Sequence, residues 1–203
     1  MSIVVNKPEW VSAEDWRRAA PSRAFRDLPP HKRALHLGGH LGREAEFYQD
    51  VVFVEPLPRH AQHLRDQELC VVEAAIGGNR LHVTTYDQGS SVLEPLQHRV
   101  AEFIEVRETS LGELNDGTFD LLVLDIQGME LQALKSGSLT FRYILVETSE
   151  RPRYRGAASR QEIQNYLESQ GYQLRKKYPH GPHDIMDLLF EKRKNSNEHG
   201  TDR

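Results

Sequence analysis

The 203-residue chain holds a single cysteine, Cys70, so no intramolecular disulfide can brace it. Its place in the apolar run Leu69-Cys70-Val71-Val72 reads as that of a small buried hydrophobe. Long hydrophobic runs are also missing. Stretches such as Leu121-Leu122-Val123-Leu124 fall far short of the ~20 residues a membrane span needs. The opening Met1-Ser2-Ile3-Val4-Val5-Asn6-Lys7 lacks a basic segment followed by an apolar stretch of about 7 to 15 residues, so no signal peptide is expected. There is no excess of positive charge either: 26 Lys plus Arg against 30 Asp plus Glu leave a formal charge of −4, without the basic footprint of a nucleic-acid binder. These gaps point to a cytoplasmic protein that binds neither nucleic acid nor membrane. What remains, 38% hydrophobic and 28% charged residues, suffices for a buried core and sets aside collagen, wholesale disorder and a disulfide scaffold.

Short Val-, Ile- and Leu-rich runs alternate with amphipathic segments, the pattern of parallel strands joined by helices. After a helical extension over residues 1–30, Ala34 to Leu37 reads as a first strand, Leu41 to Tyr48 as a helix, Val51 to Val54 as a second strand and Pro58 to Arg65 as a second helix. A third strand is expected over Leu69 to Ala75, and mixed strand and loop over Leu81 to Val106. Phe119 to Asp125 is a nearly continuous apolar strand suited to burial on both faces. A short helix over Met129 to Ser136 and a strand over Tyr143 to Glu147 follow. Ser159 and Glu162 form a capping box that starts a helix stopped by Gly171. Gln173 to Lys177 and Ile185 to Phe190 read as an antiparallel hairpin, and the polar residues 192–203 as a disordered tail.

Gly38-Gly39-His40-Leu41-Gly42, between a strand and a helix, is a nucleotide-cradling arrangement, since glycine lets backbone approach a ligand. The dinucleotide fingerprint would need glycine at Leu37, so an NAD-type oxidoreductase fits imperfectly. Glu55, 17 residues after Gly38 at the end of the second strand, is placed to accept hydrogen bonds from both hydroxyls of an adenosine ribose.

Together these segments resemble the FkbM-type methyltransferases, which use S-adenosylmethionine to methylate oxygen. His36-Leu37-Gly38-Gly39-His40-Leu41-Gly42 is similar to the family's D-I-G-A-N-x-G and Val54-Glu55-Pro56 to its F-E-P. Ala75-Ile76-Gly77 is similar to its A-L-G, Gly89-Ser90-Ser91-Val92-Leu93 to its serine turn, and Leu124-Asp125-Ile126-Gln127-Gly128-Met129-Glu130 to its L-D-x-E-G-x-E. The resemblance, over roughly Ala34 to Glu191, implies a Rossmann-like class I methyltransferase over residues 31–191. Its seven-stranded, mostly parallel α/β sheet has an antiparallel last strand. It further implies S-adenosylmethionine as cofactor, held by His36, Gly38, Gly39, His40, Gly42, Glu55, Ala75, Ile76 and Asp125. A hydroxyl on a small molecule or glycan is the expected acceptor and, if the chain self-associates, a homodimer the expected assembly. His36 and His40 depart from the family's acid and asparagine, which leaves a catalytically weakened binding or scaffold protein as the alternative.

A hydroxyl acceptor must lose its proton, and a nearby carboxylate or imidazole eases that loss. Asp125 and His183 are the candidate catalytic residues; Asp125 reads equally as a helix N-cap, and Glu130 as a companion that favours the helix N-terminus. Glu147 belongs on the same rim. Arg151-Pro152-Arg153-Tyr154-Arg155 reads as a solvated basic loop or a lid over an acidic acceptor. His180 and His183, with Asp184 and Asp187, match no recognised ligand spacing, so no metal is expected.

Overall fold

In the computed structural model, which describes residues 4–180 and 184–194, two short helices come first, α1 (Ala13–Arg18) and α2 (Arg23–Arg26). Serines cap both: the Ser12 and Ser22 hydroxyls accept from the amides of Asp15 and Ala24. The strands are β1 (Ala34–Leu37), β2 (Val51–Val54), β3 (Cys70–Val72), β4 (Ala75–Ile76), β5 (Arg80–Thr84), β6 (Val100–Glu105), β7 (Glu108–Thr109), β8 (Leu121–Leu124), β9 (Tyr143–Ser149), β10 (Tyr172–Pro179) and β11 (Ile185–Lys192). Between them lie α3 (Pro58–Asp66), α4 (Leu111–Leu114), α5 (Glu130–Lys135) and α6 (Arg160–Ser169).

Seven strands form one sheet in the order β10-β11-β9-β8-β1-β2-β3. β1, β2, β3, β8 and β9 pair in parallel, and β11 runs antiparallel between β9 and β10. The expected Rossmann-like α/β sheet with an antiparallel last strand is the architecture found. Side chains alternate across it with the two-residue period of a strand. Leu35 and Leu37 of β1 enter the core on one face, with Leu122, Leu124, Ile144 and Val146. Ala34 enters the other core with Val51, Phe53, Leu121 and Val123. The Ser159–Glu162 capping box is complete, and Gly171 takes the left-handed conformation after α6.

Four expectations need correction. The helix expected over Leu41 to Tyr48 is a 3-10 helix, Arg43–Phe47, entered from a left-handed Gly42 and followed by an already extended Tyr48. The strand expected over Leu69 to Ala75 breaks at Glu73: β3 stays at the sheet edge, while β4 pairs with β7. Cys70 is exposed rather than buried, since β3 has β2 on one side only. Lys192, placed in the expected tail, closes β11, and the Arg193 amide donates to the Gly171 carbonyl. Residues 195–203 lie outside the described part.

Candidate active site

The sheet reverses its strand order at β1, which lies between β2 and β8, and in open α/β sheets ligands gather outside the carboxyl ends at such a point. A cavity of about 1050 Å³ opens there. His36, Gly38, His40, Glu55, Ala75, Ile76 and Asp125 all line it. Gly39 and Gly42 do not. A Cβ on Gly39 would meet the Phe53 side chain at 2.9 Å, and one on Gly42 would meet Leu64 at 2.4 Å, so both glycines let the loop close on β2 and α3. Gly38, at φ +93°, lies so near the end of β8 that a Cβ would stand 1.8 Å from the Asp125 carbonyl oxygen.

Four of the loop amides are spent within the protein. Gly38 and Gly39 donate to the Val54 carbonyl, Gly42 to that of Gly39, and His40 to Glu55 Oε2 at 2.7 Å. The 3-10 helix that follows has no side-chain cap. A pyrophosphate would need several of these donors free, so this loop suits a nucleoside without one. Glu55 is 4% exposed and joins two loops, accepting from His40 through one oxygen and from the Leu57 amide at 2.8 Å through the other. Each carboxylate oxygen retains a second lone pair for a ribose hydroxyl. Apolar Ala74, Ala75, Ile76 and Leu81 line the same cavity. The donor set and shape fit the nucleoside end of S-adenosylmethionine.

His36 faces the second core. Its ring lies 5.1 Å from Phe53 and stacks at 5.9 Å on Phe25 of α2, and its Nδ1 is 3.0 Å from the Tyr48 hydroxyl. Burial pulls its pKa down to about 3, so the imidazole is neutral and does not repel a cation. Glu44, a residue the sequence did not single out, lines the same cavity; burial pushes its carboxyl up to about 8, with the nearby Asp125 and Asp187 charges adding to the effect. A cationic ammonium is the natural partner for such a group.

Three neighbouring strands bring further acids together. Asp125 follows β8, Glu147 sits in β9, and Asp187 faces Glu147 across the β9–β11 ladder. Gln127 donates to Asp125 Oδ1 at 2.5 Å and to Glu147 Oε2 at 3.3 Å. Burial, then like charge, raises the pKa of both Asp125 and Glu147. Beside them His180 Nε2 lies 3.0 Å from Asp187 Oδ1. Burial disfavours its charged form, but Asp187 and Asp125 outweigh this and raise its pKa. The Ser22 hydroxyl at the start of α2 donates to the other Asp187 oxygen. Asp125 is not a helix cap: α5 starts after Met129. Glu130 clamps the intervening turn, accepting from the amides of Ile126 and Gly128 at 3.2 and 3.0 Å, and burial lifts it to about 7. His183 lies outside the described residues.

The basic loop is anchored at Tyr154 and Arg155 rather than free. Tyr154 is buried and donates to Gln127 Oε1 at 2.6 Å, with the Gly89 carbonyl oxygen 3.2 Å from the same hydroxyl, while Arg155 pairs with Glu94. Tyr154 left no sequence signal because its partners lie 27 and 65 residues away.

The family model described as Methyltransferase FkbM domain matches residues 41–174, beginning just past His36 and His40, the two departures from its first motif. No curated protein matches the chain. Similar solved structures include magnesium protoporphyrin IX methyltransferase from Synechocystis PCC 6803 with bound SAM, 11% identical over 84% of this chain and 74% of that one, at a TM-score of 0.49. Ribosomal protein L11 methylase from Lactobacillus delbrueckii subsp. bulgaricus is another, 12% identical over 89% and 76%, at 0.46. With two thirds of its length matched by the family model, the chain belongs to the FkbM methyltransferase family, whose methyl donor is S-adenosylmethionine.

Proposed function

We propose that the protein moves the methyl group of S-adenosylmethionine to a hydroxyl oxygen of a small molecule or glycan. The observation that carries this reading is the meeting of Asp125, Glu147 and Asp187 in the wall of one cavity that Glu55 also lines. When bound, the cofactor supplies an electrophilic methyl on a sulfonium, which needs no covalent enzyme intermediate. The chain's task is then positioning and proton removal. Glu55 accepts from the ribose hydroxyls, Ala75 and Ile76 flank the base, and Glu44 takes the ammonium that the family's acid would hold in place of His36. Asp125 accepts the hydroxyl proton, a task that its raised proton affinity favours. His183, three residues beyond His180, is the second proposed acid–base group.

The NAD-type alternative fares worse, because the loop donors a pyrophosphate would use are already bonded to Val54, Gly39 and Glu55. The test is transfer from a donor carrying a ¹³C-methyl to paired hydroxyl and amine acceptors, read by NMR. A labelled methoxy carbon is expected. An N-methyl product overturns the hydroxyl assignment, and cofactor binding without transfer to any acceptor favours the scaffold alternative.

A further inference from the structure

Glu147, His180 and Asp187 each present a donor atom within 4.8 Å of the others, in the wall of the cavity. Linear spacing hides the group, since it comes from β9, β11 and the residue after β10; the antiparallel register sets Asp187 opposite Glu147 on one side and Tyr178 on the other. His180 Nε2 is 3.0 Å from Asp187 Oδ1 and 3.7 Å from Glu147 Oε1. Donors sharing a metal at bonds of about 2.1 Å stand roughly 3 to 3.5 Å apart when adjacent. These separations are close to that.

Two further observations point to a ligand. Nε2 of His180 is sealed from solvent, yet neither carboxylate oxygen meets it in hydrogen-bond alignment. A buried imidazole nitrogen without an aligned partner is costly, and a lone pair given to a cation removes that cost. Asp187 is held from behind: Ser22 donates to Oδ2, which leaves Oδ1 for the cavity side. With Asp125 just past the end of β8, three carboxyl groups meet one imidazole, and Arg153, which also lines the cavity, is the cation that acts on Glu147.

We propose that Glu147, His180 and Asp187 bind one divalent cation, of the Mn²⁺ or Zn²⁺ class that mixed carboxylate and imidazole donors favour. Its open positions face the cavity, where the oxygen of an acceptor hydroxyl can enter the coordination shell and become more acidic. That last clause rests on the methyl-transfer reading; the cation site does not.

The test is titration of Mn²⁺ into the full chain without cofactor or acceptor, followed by loss of the electron paramagnetic resonance signal of free Mn²⁺. A single site is expected, weakened at least tenfold in both Asp187→Asn and His180→Ala, with folding checked by circular dichroism. No binding up to millimolar Mn²⁺, or binding unchanged in both variants, overturns the proposal. If Asp187→Asn misfolds, His180→Ala, at the end of a strand and partly exposed, decides alone. A separate titration with S-adenosylhomocysteine keeps the two ideas apart: if it fails while Mn²⁺ binds as expected, the cofactor reading falls and the cation site stands.

Discussion

Glu55 and Glu44 are both acids in the cavity wall, but they are held in opposite ways. Glu55 accepts two backbone amides and joins the loops after β1 and β2, so Glu55→Ala should cost both binding and stability. A lost hydrogen bond to a charged group amounts to about 1.5 to 3 kcal/mol, roughly a 10- to 150-fold weaker dissociation constant. Calorimetry with S-adenosylhomocysteine, beside a thermal melt, checks the two effects, and an unchanged dissociation constant in a folded variant removes Glu55 from the ribose. Glu44 is instead raised to about 8 by burial. Its folded form therefore binds a proton more tightly than its unfolded form, and stability from this group is full below about pH 4.5 and declines as pH rises through 8. Glu44→Gln should melt higher than the parent at pH 8 and near the parent at pH 5, and the parent's deficit at pH 8 should shrink when the cofactor's ammonium is present. A melt series across pH, with and without S-adenosylhomocysteine, reads this directly. His36 works in the other direction: its pKa is depressed to about 3, so its contribution is present above pH 6.5 and is lost as pH falls toward 3.

Among the secondary-structure units, the turn after β1 shows why glycine is required at two kinds of place. At Gly38 the neighbour is backbone, the Asp125 carbonyl, which cannot rotate away. Gly38→Val adds a positive φ to that clash. The expected outcome is failure to fold, seen as insoluble protein or a lost cooperative melt, rather than a folded protein with a blocked cofactor. A soluble, cooperatively melting variant would refute the close approach of β1 to β8. Much of this part of the chain was legible in the sequence. The alternating apolar runs, Glu55 at a strand end, and the Ser159 and Glu162 cap are local patterns, and the corresponding units are present. The helix after Gly42 was not legible, because a 3-10 turn and an α turn share a composition over five residues and differ only in how the chain must reach β2. Cys70 was misplaced for a similar reason: an apolar run reads as buried until its strand proves to be the edge.

Across the molecule, the N-terminal segment works as part of the wall rather than as an appendage. Phe25 stacks on His36, Ser22 bonds Asp187, Arg43 donates to the Trp16 carbonyl, and Ala24 is wholly buried. Deleting residues 1–30 should destabilise the remainder by on the order of 3 kcal/mol, about the value of one or two large apolar side chains returned to water. It should also weaken any Mn²⁺ site by freeing Asp187 to rotate. Urea unfolding and the Mn²⁺ titration measure these; an unchanged midpoint would mean the segment packs without holding.

Strand periodicity, the glycine turn and the acid after β2 were dictated locally, because hydrophobic alternation and backbone sterics act over a few residues. The company each polar group keeps was not. Ser22 meets Asp187 across 165 positions, and Glu147 meets His180 only because β11 runs antiparallel between β9 and β10. Charge, burial and hydrogen bonding act through space, so which acids share a wall, and which imidazole lies between them, was settled only when the sheet assembled.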